Sequence, residues 1–252
     1  MAAENLELKE RIDNNLRYPL IGVVGPMGSG KSTLSELMVQ LWNVPDYPVR
    51  KCEELYEENP FLSDFYRDPK RYSFSCQTFF LESKARQLTK IMPNLSQGSI
   101  IVDPALEMDR IFARTQASVG WMTDAELAMY ENLYDLLIEE RGIIDPDLYL
   151  VVNASPDVIR QRVKERGREF ELKILRDRPD YFDNLCYQVA DFAKNSPKAP
   201  VINIDSQRLN YVSTPYGRWN AVNEVMVWSS YYFRRDGSCG SDGSKLILPS
   251  FL

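Results

Sequence analysis

The sequence predicts an α/β fold in which a five-stranded parallel sheet carries helices on both faces. Three observations point to it. Apolar runs of strand length alternate with helical patterns along the chain. Those runs are continuous rather than alternating, as expected of strands buried on both sides. The first run, Leu20–Val24, feeds a glycine-rich loop that opens a helix.

That loop reads Gly25-Pro26-Met27-Gly28-Ser29-Gly30-Lys31-Ser32-Thr33 and fits the phosphate-loop pattern G-x-x-x-x-G-K-[ST]. Glycines let the backbone curl so that its N–H groups converge on phosphate oxygens. Lys31 brings positive charge to the β- and γ-phosphates, and Ser32 offers a hydroxyl to Mg²⁺. Leu34, Leu37, Met38 and Leu41 mark a helix whose positive end faces the anion. ATP and Mg²⁺ are therefore the expected cofactors.

The elements follow in order. A short strand is expected near Tyr47–Arg50 and a long helix over about Tyr72–Met92. Ser99–Asp103 reads as a buried strand ending in an acid, followed by helices over about Glu107–Ser118 and Thr123–Arg141. Leu148–Val152 is another buried strand, Ser155-Pro156 caps a helix to about Glu165, and Val201–Ile204 is the last strand. Trp219–Phe233 suits a docked helix with Val222, Met226, Trp228 and Tyr232 as its apolar positions. Arg234–Ser244 has a flexible composition. The expected organisation is an N-terminal extension (1–17), a phosphate-loop domain (18–212) and a partly flexible C-terminal extension (213–252).

A chain of 252 residues with 44% hydrophobic content supports one full core. Its net charge of −6 disfavours nucleic acid as a partner. The four scattered cysteines read as reduced thiols, not a disulfide frame or zinc site. There is no histidine, which excludes Ser-His-Asp and Cys-His catalysis and leaves Asp or Glu as the general base. No apolar stretch approaches the roughly 20 residues of a membrane span. The acidic, polar N-terminus has no signal-peptide pattern, so the expected location is the cytoplasm.

In a doubly wound sheet, ligands bind beyond the carboxyl ends of the strands. Three acidic features land there: Cys52-Glu53-Glu54, Asp103 and Asp109-Arg110. A carboxylate beside a γ-phosphate can hold Mg²⁺ or accept a proton from an attacking hydroxyl. Arg162, Arg166 and Arg168, with Gly167 breaking the helix between them, suit a lid that closes on nucleotide phosphates.

Spaced motifs from about Tyr18 to Val212 resemble the deoxynucleoside kinase family of deoxycytidine, deoxyguanosine and deoxyadenosine kinases. They are the loop Gly25–Thr33, Glu54-Leu55-Tyr56-Glu57-Glu58-Asn59-Pro60-Phe61-Leu62, the run Phe65–Phe74 leading to Gln77–Leu81, Asp109–Ala113, the arginine-rich lid, and Asp205 with Leu209-Asn210-Tyr211. The resemblance implies transfer of the ATP γ-phosphoryl group to the 5′-hydroxyl of a deoxyribonucleoside, with adenine, guanine or cytosine favoured over thymine, by a homodimer packed through helices.

It also implies roles. Glu54 would accept the 5′-hydroxyl proton, and Asp103 would lie beside the 5′-oxygen and Mg²⁺. Tyr66 and Glu171 would hold the 3′-hydroxyl, Gln77 would read the base in a bidentate way, and Asp109 would read the rest of its edge. Arg162, Arg166 and Arg168 match lid arginines, and Tyr211 belongs to the segment that holds adenine.

Three departures stand out. Leu55-Tyr56 replaces Pro-Val, so Glu53 competes with Glu54 as base. Lys84 stands where an arginine pairs with Asp109, and lysine is not a bidentate substitute. Asp103-Pro104-Ala105 lacks the arginine of Asp-Arg-Ser, so Arg110, Arg114 or a lid arginine must stand in or catalysis is weak. Two other readings stay open: a nucleoside monophosphate kinase, and a kinase-fold nucleotide-binding or structural subunit.

Overall fold

The computed structural model describes residues 16–53, 56–195, 198–235 and 239–248. Glu54 lies outside them. The strands are β1 (Leu16–Arg17), β2 (Leu20–Val24), β3 (Val49–Glu53), β4 (Ser99–Asp103), β5 (Leu148–Asn153), β6 (Val201–Asp205) and β7 (Lys245–Leu246). The helices are α1 (Lys31–Trp42), α2 (Leu62–Arg67), α3 (Pro69–Ile91), α4 (Leu106–Ser118), α5 (Asp124–Arg141), α6 (Pro156–Arg166), α7 (Glu169–Asp177), α8 (Asp180–Asn195), α9 (Ser206–Leu209) and α10 (Pro215–Arg235).

Five strands form one parallel sheet in the order β3-β4-β2-β5-β6. All residues of β2 and β4 are buried, which is why Leu20–Val24 and Ile100–Val102 carry no polar side chain. The chain leaves β2 toward β3 on one side and crosses to β5 on the other, so the switch in strand order falls at β2. The phosphate loop follows β2 directly, at the place where such sheets open a crevice.

Side chains from alternate faces of the sheet feed separate cores. On one face, Ile21, Val23, Leu150 and Ile204 pack with Leu34, Met38 and Trp42 of α1 and Val222 and Val225 of α10. On the other, Val24 and Val151 meet α4, α6 and α8, and Leu20, Ile100 and Val102 meet α3, α4 and α5. Local signals fix the helix starts. Thr123 and Glu126 form a reciprocal capping box on α5, and Ser155 Oγ accepts from the Val158 amide ahead of Pro156.

Two expectations at the C-terminal end change. The run expected to be flexible is tied to the body of the protein in its described part. Asp242 accepts from Arg17, Ser241 donates its amide to Asp147, and β7 pairs with β1 in parallel. Residues 236–238 of that run lie outside the described residues. In α10, Val222 is buried as expected, but Trp228 is 45% exposed and packs beside Tyr231 and Tyr232 at the surface. Its place on the helix turns it away from the face that covers α1 and β6.

Candidate active site

Beyond the carboxyl ends of β2, β3 and β4 lies one cleft of about 750 Å³. Its phosphate end is the loop after β2. Gly25 lies so close to β5 that a Cβ there would meet the Val152 carbonyl oxygen at 2.4 Å. Gly30 has φ 96°, a left-handed conformation, and its α-carbon face abuts the Tyr211 hydroxyl, which donates to the Gly30 carbonyl at 3.2 Å. Lys31 Nζ donates to the carbonyls of Gly25 (2.7 Å) and Pro26 (3.0 Å), folding the side chain over the loop. Met27, Gly28, Gly30, Lys31, Ser32 and Thr33 line the cleft. Gly25, Pro26 and Ser29 build the loop from behind.

Asp103 is 4% exposed and faces the same cleft from the end of β4. Its Oδ2 accepts from Ser35 Oγ at 2.7 Å and lies 3.5 Å from Lys51 Nζ. Its Oδ1 is buried without a hydrogen-bond partner among the described residues. One spare carboxylate oxygen near the Ser32 hydroxyl's loop is a donor set of the hard-oxygen kind that suits Mg²⁺ together with substrate phosphates. Glu53 pairs in register with Asp103 across β3–β4, and its side chain is 67% exposed.

The far end of the cleft is built by two helices. Gln77 and Phe80 come from α3 and Asp109, Phe112 and Gln116 from α4, at spacings that put each set on one helical face. Gln77 (4% exposed), Asp109 (0%) and Gln116 (1%) are buried polar groups between aromatic rings. The Oε1 atoms of Gln77 and Gln116 have no hydrogen-bond partner among the described residues. Unmet acceptors in an apolar slot are costly unless a ligand donates to them. Burial raises the Tyr181 hydroxyl well above its usual range, opposed by a hydrogen bond with Gln116, so this tyrosine stays neutral beside the slot.

The third wall comes from α6 and α7. Arg166 donates from Nε (3.0 Å) and Nη2 (2.5 Å) to the buried Glu171 carboxylate, with Arg168 3.7 Å away. Tyr66 stacks on Phe170 with ring centroids 4.2 Å apart. Arg162 lines the cleft but donates to the Gly28, Ser29 and Ser206 carbonyls and to Ser206 Oγ, bracing the outer rim of the loop. Tyr211 is fully buried beneath the loop, while its neighbours Asn210, Val212 and Ser213 line the cleft.

A family model described as deoxynucleoside kinase matches residues 21–227, which takes in the loop, both helices of the polar slot and the arginine-bearing segment. The chain belongs to the deoxynucleoside kinase family. Among its relatives, the deoxyguanosine kinase of Lactobacillus acidophilus is 28% identical over 215 residues, covering 82% of this chain and 89% of that protein. The deoxyguanosine kinase of Bacillus subtilis is 30% identical over 200 residues, covering 77% of this chain and 89% of that protein. The solved structure of a deoxyadenosine kinase from M. mycoides with bound dCTP has a TM-score of 0.66 at 25% identity, over 82% of this chain and 98% of that one.

With the kinase established, its departures can be placed. Arg110 and Arg114 do not reach the cleft. Both bind Glu131 of α5, and Arg110 lies 4.6 Å over the Tyr134 ring. The reason is angular: turning Asp109 into the slot carries Arg110 about 100° around the helix, onto the α5 side. Lys84 does not line the cleft either. It is buried and donates to the Pro104 carbonyl at 3.1 Å, behind Asp103. Gln116 and Lys51 are among the cleft residues that the sequence reading did not name. Gln116 lies seven residues beyond Asp109 on the same face, a helical spacing that would have found it. Lys51 lies two residues before Glu53 on one face of β3, which a period-two count would have found.

Proposed function

We propose that this kinase transfers the γ-phosphoryl group of ATP to the 5′-hydroxyl of a deoxyribonucleoside, with deoxyadenosine, deoxyguanosine or deoxycytidine preferred to thymidine. The observation that carries the reading is the two-ended cleft: amides and Lys31 at one end, buried amide and carboxylate acceptors at the other, and Asp103 on the wall they share.

Gly25–Thr33 would cradle the phosphates, with Ser32 and Asp103 holding Mg²⁺, which neutralises charge on the transferring group. Gln77 would pair with the base edge through its amide, and Asp109 would accept from a ring N–H or amino group. Tyr66 and Glu171 would hold the 3′-hydroxyl. Glu54 or Asp103 would take the 5′ proton, a role worth about 10²- to 10⁴-fold. Arg166 and Arg168, now on Glu171, would turn to the phosphates when the lid closes. Asn210, Val212 and Ser213, beside Tyr211, would border the adenine.

A homodimer packed through helices belongs to the same reading; Met129 and Leu136 stand exposed on α5. So does a cytoplasmic setting, which four scattered cysteines without a paired spacing support. No described helix is long and apolar enough to cross a membrane.

The test is a competition, with ATP and Mg²⁺, between each deoxynucleoside and its 5′-monophosphate. A second phosphate would enter a stretch of cleft already holding Asp103 and Glu53. Nucleosides should win by about 10²-fold or more in kcat/KM. Preferential phosphorylation of the monophosphates would make the protein a nucleoside monophosphate kinase instead.

A further inference from the structure

Phosphoryl transfer concentrates negative charge where Asp103 already places a carboxylate, so a cation is needed close by. In this structure Arg110 and Arg114 are held on Glu131, Arg162 on the Gly28 and Ser29 carbonyls, and Arg166 and Arg168 beside Glu171, so none of these arginines contacts Asp103. Lys51, which also lines the cleft, does. Lys51 projects from β3 with its Nζ 3.5 Å from Asp103 Oδ2, 3.1 Å from Glu53 and 3.5 Å from Glu36. Its side chain is only 12% exposed.

We infer that Lys51 is the positioning residue of the phosphoryl-transfer site: its ammonium holds Asp103 in place and supplies the positive charge that Pro104 cannot. Two contacts fix Oδ2 of Asp103, from Lys51 and from Ser35 Oγ, so the carboxylate cannot rotate without breaking both. Oδ1 is thereby the oxygen kept for a metal or a reacting hydroxyl. Lys51 reaches this place because β3 and β4 run parallel in register. Glu53 pairs with Asp103 and Lys51 with Ile101, so a long side chain at 51 spans one pleat to the end of β4.

This inference rests on the phosphotransfer reading above, and its test separates the two. The wild-type protein, Lys51→Met, Lys51→Gln and Lys51→Arg are compared for kcat, for KM of ATP and of the best deoxynucleoside, and for ATP affinity by calorimetry. Both uncharged variants should bind ATP nearly as wild type yet lose about 10²-fold in kcat, as on removing one preorganised charge at a reacting centre. KM values should move by less than about threefold, and Lys51→Arg should recover kcat to within about tenfold of wild type.

ATP affinity retained in a variant shows that its fold survived. Wild-type kcat in either uncharged variant overturns the inference and leaves the phosphotransfer reading standing. So does lost stability in the uncharged variants, if Lys51→Arg restores stability without activity, because that marks a purely structural ion pair. A wild-type protein that phosphorylates no deoxynucleoside overturns the reading beneath it.

Discussion

Lys31→Ala is expected to reduce turnover by about 10³-fold or more while the protein stays folded, because it removes a full charge from the γ-phosphate. The side chain leaves the loop at the first residue of α1, and its amine already sits over the loop on the carbonyls of Gly25 and Pro26. Those contacts place it before nucleotide arrives, so little reorganisation accompanies binding. They contribute little to stability, since the amine is only part-buried. Single-turnover assays beside thermal melts separate the two effects. Activity within about tenfold of wild type, on a folded protein, would remove Lys31 from the reaction.

Asp147→Ala should be the most destabilising change outside the site, by about 3–5 kcal/mol. Asp147 has no exposed side-chain surface and receives Arg17 at 2.6 and 2.8 Å through both terminal nitrogens. It also accepts the amides of Leu20 and Ser241, each at 2.7 Å. One carboxylate thus joins the start of β2, the arginine of β1 and the C-terminal segment. Removing it leaves a nearly buried guanidinium with Asp242 as its remaining carboxylate among the described residues, and takes the carboxylate partner from two amides.

Urea unfolding of the variant and the parent gives the difference; a loss below about 1 kcal/mol would show that the segment is not anchored there. The same clasp weakens in acid. Although burial pushes the Asp242 carboxyl upward, Arg17 and the Ser244 amide hold it below the usual aspartate range. A depressed folded pKa gives stability that is present above the unfolded value, about 3.9, and is lost as pH falls through the folded one.

What could be read from sequence divides along a physical line. The loop was legible because its chemistry is local: glycines, a lysine and a hydroxyl within nine consecutive residues. The inner strands were legible because burial on both faces forces unbroken apolar runs, and β2, β4 and β5 begin where those runs begin. The strand β3 was not. It lies at the sheet edge with Arg50 and Glu53 exposed, so its apolar signal stops early and the expectation of 47–50 became Val49–Glu53. That shift is what concealed Lys51.

The short helix α2 has one buried residue, Phe65, and gave no period to count. The slot formed by Gln77, Asp109 and Gln116 joins helices whose approach depends on packing across the whole sheet, which spacing alone does not encode. The resemblance supplied Gln77 and the base-reading role of Asp109, and only the fold supplied Gln116. The C-terminal run looked flexible because serine, glycine and aspartate are loop formers. Its anchor, Arg17, lies more than 200 residues earlier in the chain.

The central claim is tested most directly by following the phosphorus. ATP labelled at the γ-position is incubated with the protein, Mg²⁺ and each deoxynucleoside, alongside a 5′-deoxy analogue that lacks the accepting hydroxyl. The account predicts label on the 5′-oxygen of at least one of deoxyadenosine, deoxyguanosine and deoxycytidine, with one ADP formed per transfer and none on the analogue. Tight ATP binding with no deoxynucleoside labelled would contradict it.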